Sequence, residues 1–193
     1  MKKFLLGMLL GVLLIPIGLA VYIRIGRVPV AVGDKPFPLE SKLVHIPMHK
    51  RMRAEAPTSA PIEASPTTLE AGAHIYRQQC SSCHGLYGRP TLFAEHMYPD
   101  APQLWQPHGN GVVGVSDDPP GQTYWTVANG IRLTGMPSFN NVLNQTEMWQ
   151  VSLLLANADK PLPPQVLDLL KKPLDYDLPL NGAGAVPAAP ATK

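Results

Sequence analysis

The chain has 193 residues, 16 Lys/Arg against 14 Asp/Glu, and 22 prolines, with a formal charge of +2. That length holds one modest domain plus appendages, and the prolines, about twice the ordinary share, cluster outside the central part. Residues 1–53 carry nine basic and two acidic side chains, whereas 69–160 carry four basic and seven acidic ones, so the central segment lacks the basic face that nucleic-acid binding requires.

The run 4–23 contains no charged residue and is flanked by Lys2, Lys3, Arg24 and Arg27. Twenty helical residues rise about 30 Å, the thickness of a bilayer core. A cleaved signal peptide competes with this reading through the small residues Gly18-Leu19-Ala20. A signal core is usually about 7–15 residues, however, and this run continues through Val21-Tyr22-Ile23. The segment 1–27 is therefore expected to be an uncleaved transmembrane anchor, with Pro16 tolerated inside the helix.

Residues 28–66 show little periodicity and many prolines and read as an extended tether. Within it His45, His49, Lys50, Arg51 and Arg53 form a basic cluster. Such a cluster is either a solvated linker or a docking patch for a partner or for anionic head groups.

Order is expected from Thr67, with Thr67 as N-cap and Glu70 closing a capping box. Leu69, Ala73, Tyr76 and Cys80 then recur at helical spacing, which predicts a helix over 68–80. Next come Cys80-Ser81-Ser82-Cys83-His84, a C-x-x-C-H sequence. Two thiols three positions apart can each bond one porphyrin edge, and the following imidazole can reach the iron, so the motif implies covalent haem c. Zinc would need a second pair of soft ligands, and the chain has only these two cysteines. A dithiol switch belongs beside a βαβ pattern, and nothing strand-rich precedes Cys80.

The stretch 85–115 is rich in Gly and Pro and long for a structureless connection, as expected of a loop wrapped on a flat cofactor. Trp105 and His108 are candidates for the propionate side. A helix is predicted over 119–129, with Asp118 as N-cap, Pro119 at N1 and Gly130 as its stop. Another is predicted over 145–157, with Asn144 and Glu147 forming a capping box and Met148, Val151, Leu154 and Leu155 as its buried stripe. A short amphipathic piece is expected over 165–172, and the Gly/Ala/Pro-rich residues 181–193 are expected to be disordered.

An iron held by His84 retains one axial position. His74, His96, His108, Met97, Met136 and Met148 are the available donors. Met136 is the best placed, in the turn Thr134-Gly135-Met136-Pro137-Ser138, where Gly135 allows close approach and Pro137 stiffens the chain. Thioether ligation would raise the reduction potential relative to a second imidazole.

The segment 69–160 resembles a class I (mitochondrial-type) monohaem cytochrome c domain of the bacterial membrane-anchored kind. The resemblance rests on Gly72 and Tyr76 at four-residue steps before Cys80, on Cys80-Ser81-Ser82-Cys83-His84-Gly85, on Asn129-Gly130-Ile131-Arg132-Leu133-Thr134-Gly135-Met136-Pro137-Ser138-Phe139, and on Glu147-Met148-Trp149-Gln150-Val151. It implies an all-α fold of three or more helices around one haem, in which the first and last helices cross and Gly72 admits Trp149 or its neighbours. It also implies a proline carbonyl that orients the His84 imidazole, for which Pro90 and Pro99 are the candidates.

The expected organisation is thus an anchor (1–27), a tether (28–66), a cytochrome c domain (67–160) and a tail (161–193). Its expected function is one-electron transfer on the periplasmic side of the inner membrane. A membrane dehydrogenase or quinol-oxidising complex would donate, and a terminal oxidase or other acceptor would receive. A fixed subunit of a respiratory complex is the alternative, and a haem enzyme or gas sensor with an open distal site is the further one.

Overall fold

The computed structural model describes residues 1–26, 28–109 and 111–174, so the tail expected to be disordered (181–193) lies outside the described residues. Its elements are helical apart from one two-residue hairpin, as the all-α expectation requires. The chain divides into two units, Met1–Pro47 and Met48–Lys193.

In the first unit, α1 (Lys2–Ile25) runs through Pro16 without a break and buries none of its residues against protein. Its apolar side chains are exposed, and the helix is long and apolar enough to cross a membrane. After it, the Asp34 carboxylate accepts from the Val30 and Ala31 amides at 2.8 and 2.9 Å. These backbone donors hold its pKa below the ordinary value.

The tether is not extended throughout. Residues Glu40–Glu55 form α2, with Pro47 inside the helix. At its start the Glu40 carboxylate accepts from the Phe37 amide at 2.7 Å, which ties the preceding turn to the first residue of the helix. Its last turns belong to the second unit; there Met52 is buried, and that packing outweighs the weak propensity of a proline-rich segment.

In the second unit, α3 (Pro66–Gln79) begins two residues earlier than the capping box suggested. Ser65, not Thr67, is the N-cap and accepts from the Thr68 amide. Pro66 at N1 explains the shift, because its missing N–H costs nothing there and its φ is already helical. The short α4 (Ser81–His84) follows directly, then a 3₁₀ turn (Leu92–His96) and the antiparallel pair β1 (Pro107–His108) and β2 (Val112–Val113). Likewise α5 (Pro120–Asn129) starts after Pro119 rather than Asp118 and has no side-chain cap. Gly130 (φ 65°) ends it, as expected.

The capping box of α6 (Gln145–Leu155) is present in both directions: Glu147 amide to Asn144 at 3.0 Å, Asn144 amide to Glu147 at 2.8 Å. Helix α6 packs on α3 and α5, and α7 (Pro164–Lys171) packs on α3. At the α3–α6 crossing a Cβ on Gly72 would collide with the Gln150 carbonyl, so only glycine lets the two backbones approach. Trp149 itself stacks on Tyr124, with ring centroids 4.4 Å apart.

The core joins Tyr76, Met148, Val151, Leu154, Val166 and Leu170, all essentially inaccessible. Val166 and Leu170 come from α7, within the segment expected to be a tail. Arg77 fixes that helix by donating to the carbonyls of Leu169, Lys172 and Pro173, which satisfies orphan acceptors at its C-terminus.

Candidate metal centre

Helix α3 delivers the C-x-x-C-H residues. Its C-cap, Cys80, is also the N-cap of α4, so the two thiols sit on one tight turn closed by the His84 amide to the Cys80 carbonyl at 3.0 Å. The buried Tyr76 hydroxyl donates to the carbonyls of Gly85 (2.7 Å) and His84 (3.1 Å), tying the turn to the core. Gly85 takes φ 73°, and a Cβ there would meet the Gln103 amide oxygen and the Arg89 carbonyl. The chain can therefore fold back on itself only at a glycine.

The fold-back loop is held by one side chain that sequence reasoning did not single out. Gln103 donates to the carbonyls of Cys83 (3.0 Å) and Ala101 (3.1 Å) and accepts from the Thr91 amide (2.8 Å). It thereby sets Pro102 against the histidine. The His84 Nδ1 donates to the Pro102 carbonyl at 2.7 Å, so the orienting proline is neither Pro90 nor Pro99. In a loop this rich in proline, distance along the chain does not choose among them. The choice is made by the fold-back, in which the Leu104 amide also donates to the His84 carbonyl.

Farther along the chain, the loop 129–139 is bonded densely to itself and to α5. Thr134 Oγ1 donates to the Ile131 carbonyl (2.7 Å) and accepts from the Met136 amide (3.0 Å). The Met136 carbonyl accepts from the Ile131 amide. Ser138 donates to the Ala128 carbonyl at 2.6 Å, and the Phe139 amide to the Val127 carbonyl at 3.0 Å.

Cys80, Cys83, His84 and Met136 border one cavity, walled mainly by apolar side chains of the loops 97–115 and 131–139, with Val127 from α5 and Val151 and Leu155 from α6. Of the other donors considered, Met97 also borders it, with its methyl against Gly135. His74, His96, His108 and Met148 are not among its lining residues. Met148 packs in the core of α6, as expected. His108 bonds the Gly114 carbonyl through Nε2, and Trp105 packs edge-on against Tyr76. Neither lines the cavity.

The electrostatics suit a neutral, soft donor set. Burial pushes the Cys80 thiol up to about 12, with the neighbouring Cys83 adding to the rise. This wall therefore resists a thiolate and is indifferent to a thioether, which has no charge to desolvate. Burial lowers the His84 pKa, against the opposing pull of the Pro102 carbonyl. With Nδ1 committed to the Pro102 carbonyl, the lone pair of a neutral ring lies on Nε2, the form a metal ligand takes. Asp118, also on the lining, is shifted upward by burial and by Asp117, and His49 and His108 oppose the shift. Among the described residues no cluster of three or more His, Cys, Asp or Glu could hold a metal on its own. Two thiols, one imidazole nitrogen and thioether sulfur around an apolar cavity fit a covalently attached haem.

The comparison with curated proteins returned no match. Residues 67–153 match the family described as cytochrome c oxidase, cbb3-type, subunit III. With the apolar cavity and its donors, this match makes that segment a monohaem c-type cytochrome domain, which carries covalent haem c and whose chemistry is electron transfer.

Proposed function

We propose that the protein is a one-electron carrier of a respiratory chain, held to the inner membrane by α1 with its cytochrome domain on the periplasmic side. Cys80 and Cys83 form the thioethers, His84 Nε2 is the proximal iron ligand and the Met136 thioether is the distal one. The observation that carries this reading is that all four side chains border one apolar cavity. Bound there, haem supplies a centre that takes up and releases one electron.

The residues supply what such a centre needs. His84 is held in one tautomer by Pro102, and Met136 is held by a loop bonded to α5. Held by both His84 and Met136, the iron would have no position left open for substrate, which argues against an enzyme or gas sensor. The apolar walls limit water and favour a higher potential. A single helical anchor confines the search for partners to the membrane surface and raises the effective concentration there. The acidic central segment suits a basic docking face on a donor dehydrogenase or quinol-oxidising complex, or on an acceptor oxidase.

A second reading, a fixed cytochrome subunit of a larger oxidoreductase, is favoured by the description of the matched family as an oxidase subunit. Mild detergent extraction separates the two: a free monomer supports the carrier, and stoichiometric co-purification with other subunits supports the complex. The ligand assignment is tested by Met136→Ala. The weak long-wavelength sulfur-to-iron band should vanish and the reduction potential should fall. A spectrum identical to that of the unaltered protein would refute the assignment.

A further inference from the structure

The cavity has a wall that comes from outside the cytochrome segment. Met52, in the last turns of α2, is buried and borders the same cavity as Cys80, His84 and Met136. It lies upstream of residues 67–153, the part matched by the cytochrome family. Three further contacts hold this stretch onto α5. The Thr126 hydroxyl lies 3.6 Å from the Met52 sulfur. The Glu55 carboxylate accepts from the Trp125 indole N–H at 3.0 Å and from Arg51 at 2.7 Å. The Pro57 carbonyl sits so close to Gly121 that no Cβ would fit there. Contacts with α5 recur at Met52, Glu55 and Pro57, which makes a strap rather than one chance touch.

We propose that this strap is a functional wall of the haem cavity and that Met52 is the side chain on it that sets the reduction potential by keeping water out. The inference rests on the reading that haem occupies this cavity. Ferric haem carries one more positive charge than ferrous haem, and water stabilises the more charged form. An apolar cover therefore favours the reduced state, and opening it favours the oxidised one. Met52 acts through solvent exclusion and not as a ligand, so its effect on potential should be separable from the axial spectrum.

The test uses the full-length, haem-loaded protein in detergent, with equilibrium redox titration and the long-wavelength sulfur-to-iron band read on each variant. Met52→Gln, similar in size but polar, and Met52→Ala, which opens the wall, should both lower the potential and keep the band. Met52→Leu should restore the potential of the unaltered protein. Glu55→Ala leaves the lining intact but releases the strap from Trp125, and it should lower the potential by a smaller amount. This variant carries the test if the Met52 variants fail to accumulate. Unchanged potentials in Met52→Gln and Glu55→Ala would overturn the strap while leaving the ligand assignment standing, provided Met136→Ala still loses the band. Loss of the band in Met52→Ala together with its retention in Met136→Ala would overturn both.

Discussion

The two sides of the cavity are built on different principles. On the His84 side the chain makes a long fold-back over 85–104 with little regular structure, and the Gln103 side chain ties its start to its end. On the Met136 side the loop 129–139 is short and bonded to itself and to α5 at several points. The difference follows from what each side must hold. Cys80 and Cys83 would attach their group by covalent bonds that persist whatever the loop does. As the proposed distal ligand, Met136 would have a single coordinate bond to offer, so its backbone would have to be in place already for that bond to form.

Removing the fastener on each side separates the two principles. Gln103→Ala should have the larger effect on stability, about 1–3 kcal/mol, because it leaves two carbonyls and one amide without their partner. Thermal unfolding should report the loss, while haem stays attached and the long-wavelength band persists in the folded protein. Thr134→Val should cost less, about 0.5–1.5 kcal/mol, yet it should loosen the Met136 bond selectively. The band should then disappear on warming well before the far-ultraviolet helical signal does. Simultaneous loss of both signals in Thr134→Val would erase the distinction between the sides.

The smallest effect concerns the strap. The Glu55 pKa is lowered chiefly by Arg51 and then by the Trp125 indole. A carboxyl group with a depressed folded-state pKa contributes stability above the ordinary carboxylate range, and that contribution is lost as pH falls through its folded value. Acidification through that range should therefore loosen the strap and alter tryptophan fluorescence slightly. Glu55→Gln should flatten this response, and an undiminished response in that variant would place the acid-sensitive contact elsewhere.

What the sequence made legible follows the range of the interactions involved. The C-x-x-C-H turn, the Asn144–Glu147 box, the Gly130 stop and the turn around Met136 are all written within a few residues, and the local chemistry of each is visible in the letters. The residues that the structure adds act across distance. Pro102 reaches His84 only because Gln103 closes a loop, and Arg77 fixes α7 from more than ninety residues away. The same holds for α2. A segment with Pro47 in it and few apolar positions reads as linker, and it becomes helix because Met52 and Glu55 find partners on α5. The starts of α3 and α5 were displaced for a local reason, since a proline at N1 decides the first turn ahead of a neighbouring Thr or Asp.

The account depends most on the four side chains around the cavity acting on one covalently held haem. The direct measurement is the mass of the peptide containing residues 80–84, taken from the purified protein after denaturation and treatment with a thiol-alkylating reagent. The account predicts a peptide heavier by one haem, with neither Cys80 nor Cys83 alkylated. A peptide of unmodified mass that carries two alkyl groups would contradict it.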